Sequence, residues 1–524
     1  MHLFFDKFNS RFLSDSIIIP IFIVKKQNLF LLFFEAILRL NHSLSPAKKG
    51  MEKKIRKGES LELRVEDLVF GARGIAKQDD FVWFVDGGIP GQKVVARIHR
   101  IHRSYGEAYV ETVVEPSPYQ ITPPCPYFGI CGGCQLQHLK YDIQIQAKTR
   151  QIKEILEHLG SFQNVEVRPT LPSEEIYGYR NKMEFTFSDQ RWISKNDPPD
   201  KSNNFALGLH VPRRFDKVLD IDACLLQSEV NNNIFRAVKS LVIETSLKPY
   251  SIKSQMGFYR FLIIREGKNT GDIMLNFITS GQEGAKGKKA LNWIVHKLFW
   301  RHPEITTVLH SITDAKAQVA IGESVQLILG MGKITEKIGN TLFEVSSNAF
   351  FQTNTRQTQR LFETIVQLAD FQGDEIVYDL YCGTGAIGIF IADKVKKVLG
   401  IEVIESAIND AHRNAELNHS SNVHFILADM KDALQNSDSL IVQHGAPHVV
   451  ILDPPRGGTH PKTVKHLLHL APPKIIYVSC NPAVLARDLQ ILCDKTYTLK
   501  IVQPVDMFPH TGHIETVALL TKNT

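Results

Sequence analysis

Ile475-Ile-Tyr-Val-Ser-Cys480-Asn-Pro482 is a short apolar run that stops on a Ser, a Cys, an Asn and a Pro. Such a run, bounded by a turn signal, predicts a buried strand. It sets a thiol at the carboxyl end of a sheet, where open α/β folds place their ligands. Upstream, Val449-Val-Ile-Leu-Asp453-Pro-Pro-Arg456 ends in the same way with a carboxylate. Ile376-Val-Tyr-Asp-Leu-Tyr381 runs into Cys382-Gly-Thr-Gly-Ala-Ile-Gly388. Working outward, strands are expected at Ile376–Leu380, Val398–Ile401, Val423–Leu427, Val449–Leu452 and Ile475–Val478. Helices are expected at Arg356–Ala369, from Ala386, and at Ala407–Leu417. This alternation predicts a doubly wound parallel sheet, a Rossmann-like α/β domain. Tyr497–Val502 and Glu515–Leu520 follow with no helix between them and predict an antiparallel pair.

The remainder of the 524 residues leaves room for further domains. Charged residues make up 22% and hydrophobic ones 43%, ordinary for a globular chain, so a disordered or fibrous class is excluded. The net charge of +6 permits a nucleic-acid partner without requiring one. Seven cysteines without a secretory signal predict reduced thiols and a cytoplasmic location. In residues 1–50, the apolar stretches Ile17–Val24 and Leu29–Phe34 are too short to span a membrane. Residues 1–50 are expected to be a dispensable extension, disordered or preceding the true start, with Met51 as the functional beginning. No membrane partner is expected.

Short strands at Leu61–Val65, Phe81–Val85, Lys93–Ile101 and Ala108–Val114, separated by Gly-rich turns, predict a small β-barrel. Arg97, His99, Arg100, His102 and Arg103 give it a basic strand, read either as an RNA footprint or as a charged edge that blocks aggregation. Next, Cys125, Cys131 and Cys134 fall within ten residues among glycines. Thiolates so spaced bind zinc or an iron–sulfur cluster. Cys224 is the candidate fourth ligand, as the one cysteine between this group and the Gly-rich loop. The C-x5-C-x2-C spacing is neither that of zinc ribbons nor the C-x3-C-x2-C of radical enzymes. A helix at 143–159, a loop at 190–205 and mixed helices and strands from 230 to 335 predict a central α+β domain. The expected boundaries are 1–50 extension, 51–117 barrel, 118–338 central domain and 339–524 catalytic domain.

Gly383-Thr-Gly385-Ala-Ile-Gly388, following a strand and opening a helix, fits a dinucleotide-like loop, and Glu402 ends the next strand where an acid meets a ribose. NAD and S-adenosylmethionine both carry that ribose. Asp453-Pro-Pro at the fourth strand favours the methyl donor. Arg456, where amino-methyltransferases have an aromatic, and a cysteine ending the next strand point to methylation of carbon.

Five stretches in order carry a closer resemblance: Phe350-Phe-Gln-Thr-Asn354, Tyr378-Asp-Leu-Tyr-Cys-Gly-Thr-Gly385, Leu452-Asp-Pro-Pro-Arg456, Tyr477-Val-Ser-Cys-Asn-Pro482 and Asp506-Met-Phe-Pro-His-Thr-Gly-His-Ile-Glu515. Residues 340–524 resemble the catalytic domain of RNA uridine C5-methyltransferases. Residues 57–225 resemble a TRAM barrel, an OB-like fold, followed by that family's cysteine cluster. The combination is similar to the bacterial iron–sulfur 23S ribosomal RNA branch; the related tRNA enzymes typically lack both features.

The resemblance implies 5-methyluridine formation in 23S rRNA, with Cys480 as nucleophile and Glu515 as base. It implies S-adenosyl-L-methionine held by Gln352, Tyr381, Glu402 and Asp453, with Asp429, ending the third strand, facing the adenine. It implies one 4Fe–4S cluster on Cys125, Cys131, Cys134 and Cys224. Ala386 departs from the pattern, since a polar residue often stands there. Cys382 and Cys493 read as packing residues, and a monomer is expected. The alternatives are the same chemistry on tRNA, and a redox or RNA-binding iron–sulfur protein.

Overall fold

The computed structural model describes residues 55–193 and 204–524; the extension 1–50 and residues 194–203 of the predicted loop lie outside the described residues. The barrel is a six-stranded sheet in the order Ser60–Arg64, Lys93–Ile101, Tyr105–Glu115, Phe81–Asp86, Arg73–Gln78, Asp67–Val69. The first and last members are one run of chain. It pairs with Arg97–Lys93 on one side and Ile75–Arg73 on the other, so the sheet closes on itself. Closure removes the edges that a small sheet would otherwise expose. Leu63, Val65, Trp83, Val94 and Ile98 fill the interior.

Arg73–Gln78 is absent from the sequence expectation because Arg, Gly, Ala, Lys and Gln are poor strand formers. Pairing with Phe81–Asp86 overrides that weak local preference. Gly106 lies beside Trp83, and a Cβ there would stand 2.1 Å from the indole ring. Gly106→Ala should therefore overpack the barrel and cost about 1–3 kcal/mol. A lower urea midpoint followed by Trp83 emission is the expected reading, and an unchanged midpoint would contradict this packing.

The basic strand of the barrel is less cationic than its sequence suggests. Tyr105–Glu115 runs beside it and brings Glu111 to Arg97 at 2.9 Å and Glu107 to His99 at 3.8 Å, while Asp86, from Phe81–Asp86, lies 3.6 Å from His99.

The central sheet has seven strands in the order Arg214–Asp220, Ala206–Val211, Lys182–Ser188, Tyr259–Glu266, Ile273–Thr279, Ile305–Ile312, Ser324–Leu329. Helices Glu229–Glu244 and Gly284–Arg301 pack on it through Phe235, Val238, Leu291 and Ile294. A hairpin, Lys333–Ile338 with Thr341–Ser346, leads onward.

The C-terminal sheet runs Val423–Leu427, Lys397–Glu402, Ile376–Leu380, Val449–Leu452, Lys474–Ser479, Glu515–Lys522, Tyr497–Val505, Glu166–Val167. Its first five strands are parallel, and Glu515–Lys522 is antiparallel to both neighbours. Apolar side chains are buried on both faces, as a sheet covered on two sides requires. The helices Met430–Gln435, Ser437–His444, Pro461–Leu470 and Pro482–Leu492 complete the cover; the first three have no counterpart in the sequence expectation, which reads a helix only around Cys493 at the end of the fourth.

One segment crosses the linear order. Helix Tyr141–His158 buries Ile152 and Leu156 in the C-terminal core, and Glu166–Val167 pairs with Ile501 and Val502. Residues 141–167 thus pack on the catalytic sheet although they stand inside the span 118–338 expected for the central domain.

Candidate active site

The carboxyl ends of the parallel strands carry the residues singled out from the sequence. Gly383 and Gly385, with φ of 55° and 75°, turn the chain after Ile376–Leu380 in a conformation that glycine adopts without strain. A Cβ on Gly385 would also stand 2.7 Å from the Phe425 ring. Glu402 is 9% exposed and braces this turn: one oxygen accepts the Gly383 N–H at 3.1 Å, the other those of Val403 and Ile404. Tyr381 has φ of 65°, unusual for a bulky residue. Asp429 lies two residues past Val423–Leu427 rather than on it, and caps the next helix by accepting the Lys431 N–H at 2.9 Å. The Gln352 carbonyl accepts from Asn181 Nδ2 at 2.9 Å, which ties the Phe350–Asn354 stretch to the central domain.

Cys480 stands where Lys474–Ser479 turns into helix Pro482–Leu492. Asn481 caps that helix by accepting from Ala483 and Val484, and Pro482 occupies its first position. Glu515 begins the neighbouring antiparallel strand. Ser479, the last paired residue of its strand, pairs with Thr516, so the chain brings Cys480 near Glu515, whose charge acts on the thiol.

The charges around this pair are unbalanced. Burial, and then Glu515, push the Cys480 thiol up to about 12; Arg456 opposes the rise and Asp453 adds to it. Burial and Asp453 hold Glu515 well above the usual carboxylate range, again against Arg456. Burial raises Asp453 to about 7. Asp379, fully buried on the Gly-loop strand and accepting the Gly388 N–H at 3.1 Å, is raised to about 8 by burial and Asp453. Arg456 is the cation that favours the charged forms of both Cys480 and Glu515.

Cys125, Cys131, Cys134 and Cys224 are all free thiols and line one cavity of about 490 Å³. Phe350, Phe351 and Thr353 line the same cavity, as do Arg180 and Arg265. Burial raises Cys134 to about 12 and Cys224 to about 11. Among the described residues, no three His, Cys, Asp or Glu side chains are gathered closely enough to hold a metal ion.

Similarity to known proteins agrees with this arrangement. Residues 323–523 match the family model for tRNA (uracil-5-)-methyltransferase, and residues 54–110 match the TRAM domain. An uncharacterized RNA methyltransferase of Chlorobaculum tepidum is 39% identical over 474 residues, which are 89% of this chain and 97% of that one. Another, from Porphyromonas gingivalis, is 38% identical over 472 residues, 88% of this chain and all of that one. This chain belongs to the RNA (uracil-5-)-methyltransferase family. Its fold is also that of the Pyrococcus abyssi tRNA (uracil-54, C5)-methyltransferase solved with S-adenosyl-L-homocysteine: TM-score 0.69, 28% identity, 88% of this chain and all of that one.

As an RNA uracil-C5 methyltransferase, the protein uses S-adenosylmethionine as methyl donor. Two residues of this methyltransferase had no role in the sequence reading. Arg456 was noted only as a departure from an aromatic. Asp379 was read only as part of a motif, yet an acid inside an otherwise apolar strand is a signal, because a buried carboxyl needs a partner. Among the described residues no helix is long and apolar enough to cross a membrane.

Proposed function

We propose that this enzyme methylates C5 of a uridine in 23S ribosomal RNA through a covalent bond between Cys480 and C6 of the base. The nearness of Cys480 and Glu515, just past the last residues paired between their strands, carries the reading. Uracil C5 is a weak nucleophile. Addition of the Cys480 thiolate at C6 turns the ring into an enolate whose C5 can take the methyl group of the donor. Arg456 supports the thiolate before attack. Glu515 then removes the C5 proton, and the sulfur leaves as C5=C6 re-forms. Gln352, Tyr381, Glu402, Asp429 and Asp453 surround the donor. A stacked base cannot meet the thiol and the methyl group on adjacent lines, so the target uridine is flipped from its RNA.

That Cys125, Cys131, Cys134 and Cys224 line one cavity supports reading them as the donors of a 4Fe–4S cluster, although as they stand no three of them are gathered closely enough to hold an ion. Cys125, Cys131, Cys134 and Cys224 would hold it, and binding would take the protons from the thiols of Cys131, Cys134 and Cys224, which burial raises. When bound, the cluster supplies a cross-link between the 125–134 segment and the Cys224 loop. The barrel together with this cysteine set favours ribosomal RNA, whereas the Pyrococcus relative is named for a tRNA uracil.

Mapping 5-methyluridine by mass spectrometry in rRNA and tRNA, from cells with and without the gene, tests the substrate. A site lost from 23S rRNA is the expected result, and a site lost only from tRNA would reverse the assignment. Anaerobically prepared protein should be brown and contain iron and sulfide; stoichiometric zinc without visible absorbance would refute the cluster.

A further inference from the structure

The chain from Asp506 to Ile514, which leads into Glu515, is irregular yet almost wholly buried. Asp506 and Met507 are 0% exposed, and His510 and Ile514 1%. Irregular backbone at such depth must find polar partners elsewhere in the fold. They come from far upstream. Gln135 and Leu136 donate their N–H groups to the His510 carbonyl at 2.8 and 3.0 Å, and Gln144 Oε1 accepts the His510 N–H at 3.1 Å. The Tyr179 hydroxyl donates to the Pro509 carbonyl at 3.2 Å. Asn354 Nδ2 and Gln357 Nε2 donate to the carbonyls of Met507 and Asp506.

At the head of this loop lies a buried ion pair. Lys148 Nζ meets Asp506 Oδ1 at 2.6 Å, their side chains 3% and 0% exposed, and the Tyr141 hydroxyl donates to Asp506 Oδ2 at 2.7 Å. An ion pair at this depth loses about as much in desolvation as it gains in attraction, and an apolar pair would serve stability equally well. What the ion pair supplies instead is direction. It fixes both carboxylate oxygens of Asp506 on one helix, Tyr141–His158, at the entry of the loop that ends on Glu515.

We propose that Lys148 and Tyr141 are positioning residues for the last half of the reaction: they hold Asp506 so that the Glu515 carboxylate is aimed at the C5 proton of the methylated adduct. In that step the C5–H bond breaks and the proton passes to Glu515. Its electron pair forms C5=C6, and the C6–S pair returns to Cys480 as thiolate. The inference rests on the reading of Glu515 as base. A misplacement of about 1 Å can slow such a step on the order of 10²-fold.

The test follows the full-length enzyme with donor and an RNA transcript in single turnover, resolving methyl transfer from decay of the protein–RNA adduct. Lys148→Met should slow adduct decay on the order of 10²-fold, with methyl transfer and S-adenosylhomocysteine affinity within about threefold of wild type. Tyr141→Phe, which removes a single hydroxyl, should slow decay by about tenfold and serves if Lys148→Met does not fold. The double change Lys148→Met, Asp506→Leu should recover the urea midpoint but not the decay rate. Equal slowing of both steps, or recovery of decay along with stability, would reduce the pair to a structural role. Glu515→Gln is run beside them. If it traps the adduct and the Lys148 and Tyr141 variants do not, this inference alone fails; if Glu515→Gln releases product normally, the reading beneath it fails.

Discussion

Glu515→Gln is expected to accumulate a protein–RNA adduct that Cys480→Ala never forms. The two residues lie near each other at the end of one strand pair but act at opposite ends of a single intermediate. Without the Cys480 sulfur no enolate forms, so Cys480→Ala should bind donor and RNA and show no turnover. Without the Glu515 carboxylate the thiol can still add and C5 can still take its methyl group. The C5 proton then stays, and the RNA remains bonded through C6 to sulfur. Loss of a positioned base typically costs 10²–10⁴-fold, so multiple turnover should nearly vanish in both variants. A denaturing gel separates them. Labelled RNA should give a slow band with Glu515→Gln and none with the double mutant Cys480→Ala, Glu515→Gln. A band that survives in the double mutant would move the nucleophile to another thiol, with Cys382 first because it lies in the Gly loop beside the same strand ends. No band with Glu515→Gln, and product released at the normal rate, would remove Glu515 as the base.

The second large effect is one of pH. Asp379, Asp453 and Glu515 are carboxyls held above their ordinary range, Asp453 by burial and the other two by burial and then by Asp453. A carboxyl whose folded value lies above its unfolded one favours folding in its protonated form. The cost for Asp453 is therefore absent below pH of about 4, grows as pH rises, and is complete above about 7. Three pH units correspond to about 4 kcal/mol, and partial exposure of Asp453 reduces this to about 2–4 kcal/mol. Asp453→Asn cannot ionise. Without donor, its thermal midpoint should match wild type near pH 4 and exceed it increasingly to pH 8, while methylation is lost. Parallel pH profiles for the two proteins would show that Asp453 is ionised at no cost in the fold. The gain in stability with loss of activity is what a strained, functional charge produces.

The structure changes how one natural experiment should be read. Deleting the barrel looks like a way to separate RNA binding from catalysis. The barrel, however, packs on the Glu515 loop: a Cβ on Gly512 would stand 2.4 Å from Gly71. Gln151 of helix Tyr141–His158 donates to the Leu68 carbonyl at 3.0 Å, and Arg150 pairs with Asp67. Deletion would strip the loop of support, so single charge changes on the barrel surface are the cleaner probe of RNA binding.

Much of the catalytic domain was legible because its signals are local. Ile376–Leu380, Val423–Leu427 and Val449–Leu452 begin and end where their apolar runs do. The Gly loop, the Asp-Pro-Pro turn and Ser-Cys-Asn-Pro each encode a turn chemistry within a few residues, and the ends of parallel strands then gather them by topology. The start of Pro482–Leu492 escaped because Pro482 reads as a turn signal that ends the strand, when it in fact opens a helix at its first turn. Arg73–Gln78 escaped because its neighbours, not its own residues, make it a strand.

By itself, then, the sequence determined a barrel, a cysteine-bearing centre and a doubly wound sheet with a thiol at one strand end, since period, turn residues and motif spacing are written within each segment. Only the tertiary structure decided which distant residues meet. The pairing of Ser479 with Thr516 brings Glu515 near Cys480, 35 positions earlier in the chain. The packing of Tyr141–His158 on the catalytic sheet brings Lys148 to Asp506 across 358 residues. No local pattern encodes such pairs, because their partners are chosen by the burial of whole elements and by the need to satisfy every polar group that burial takes from water.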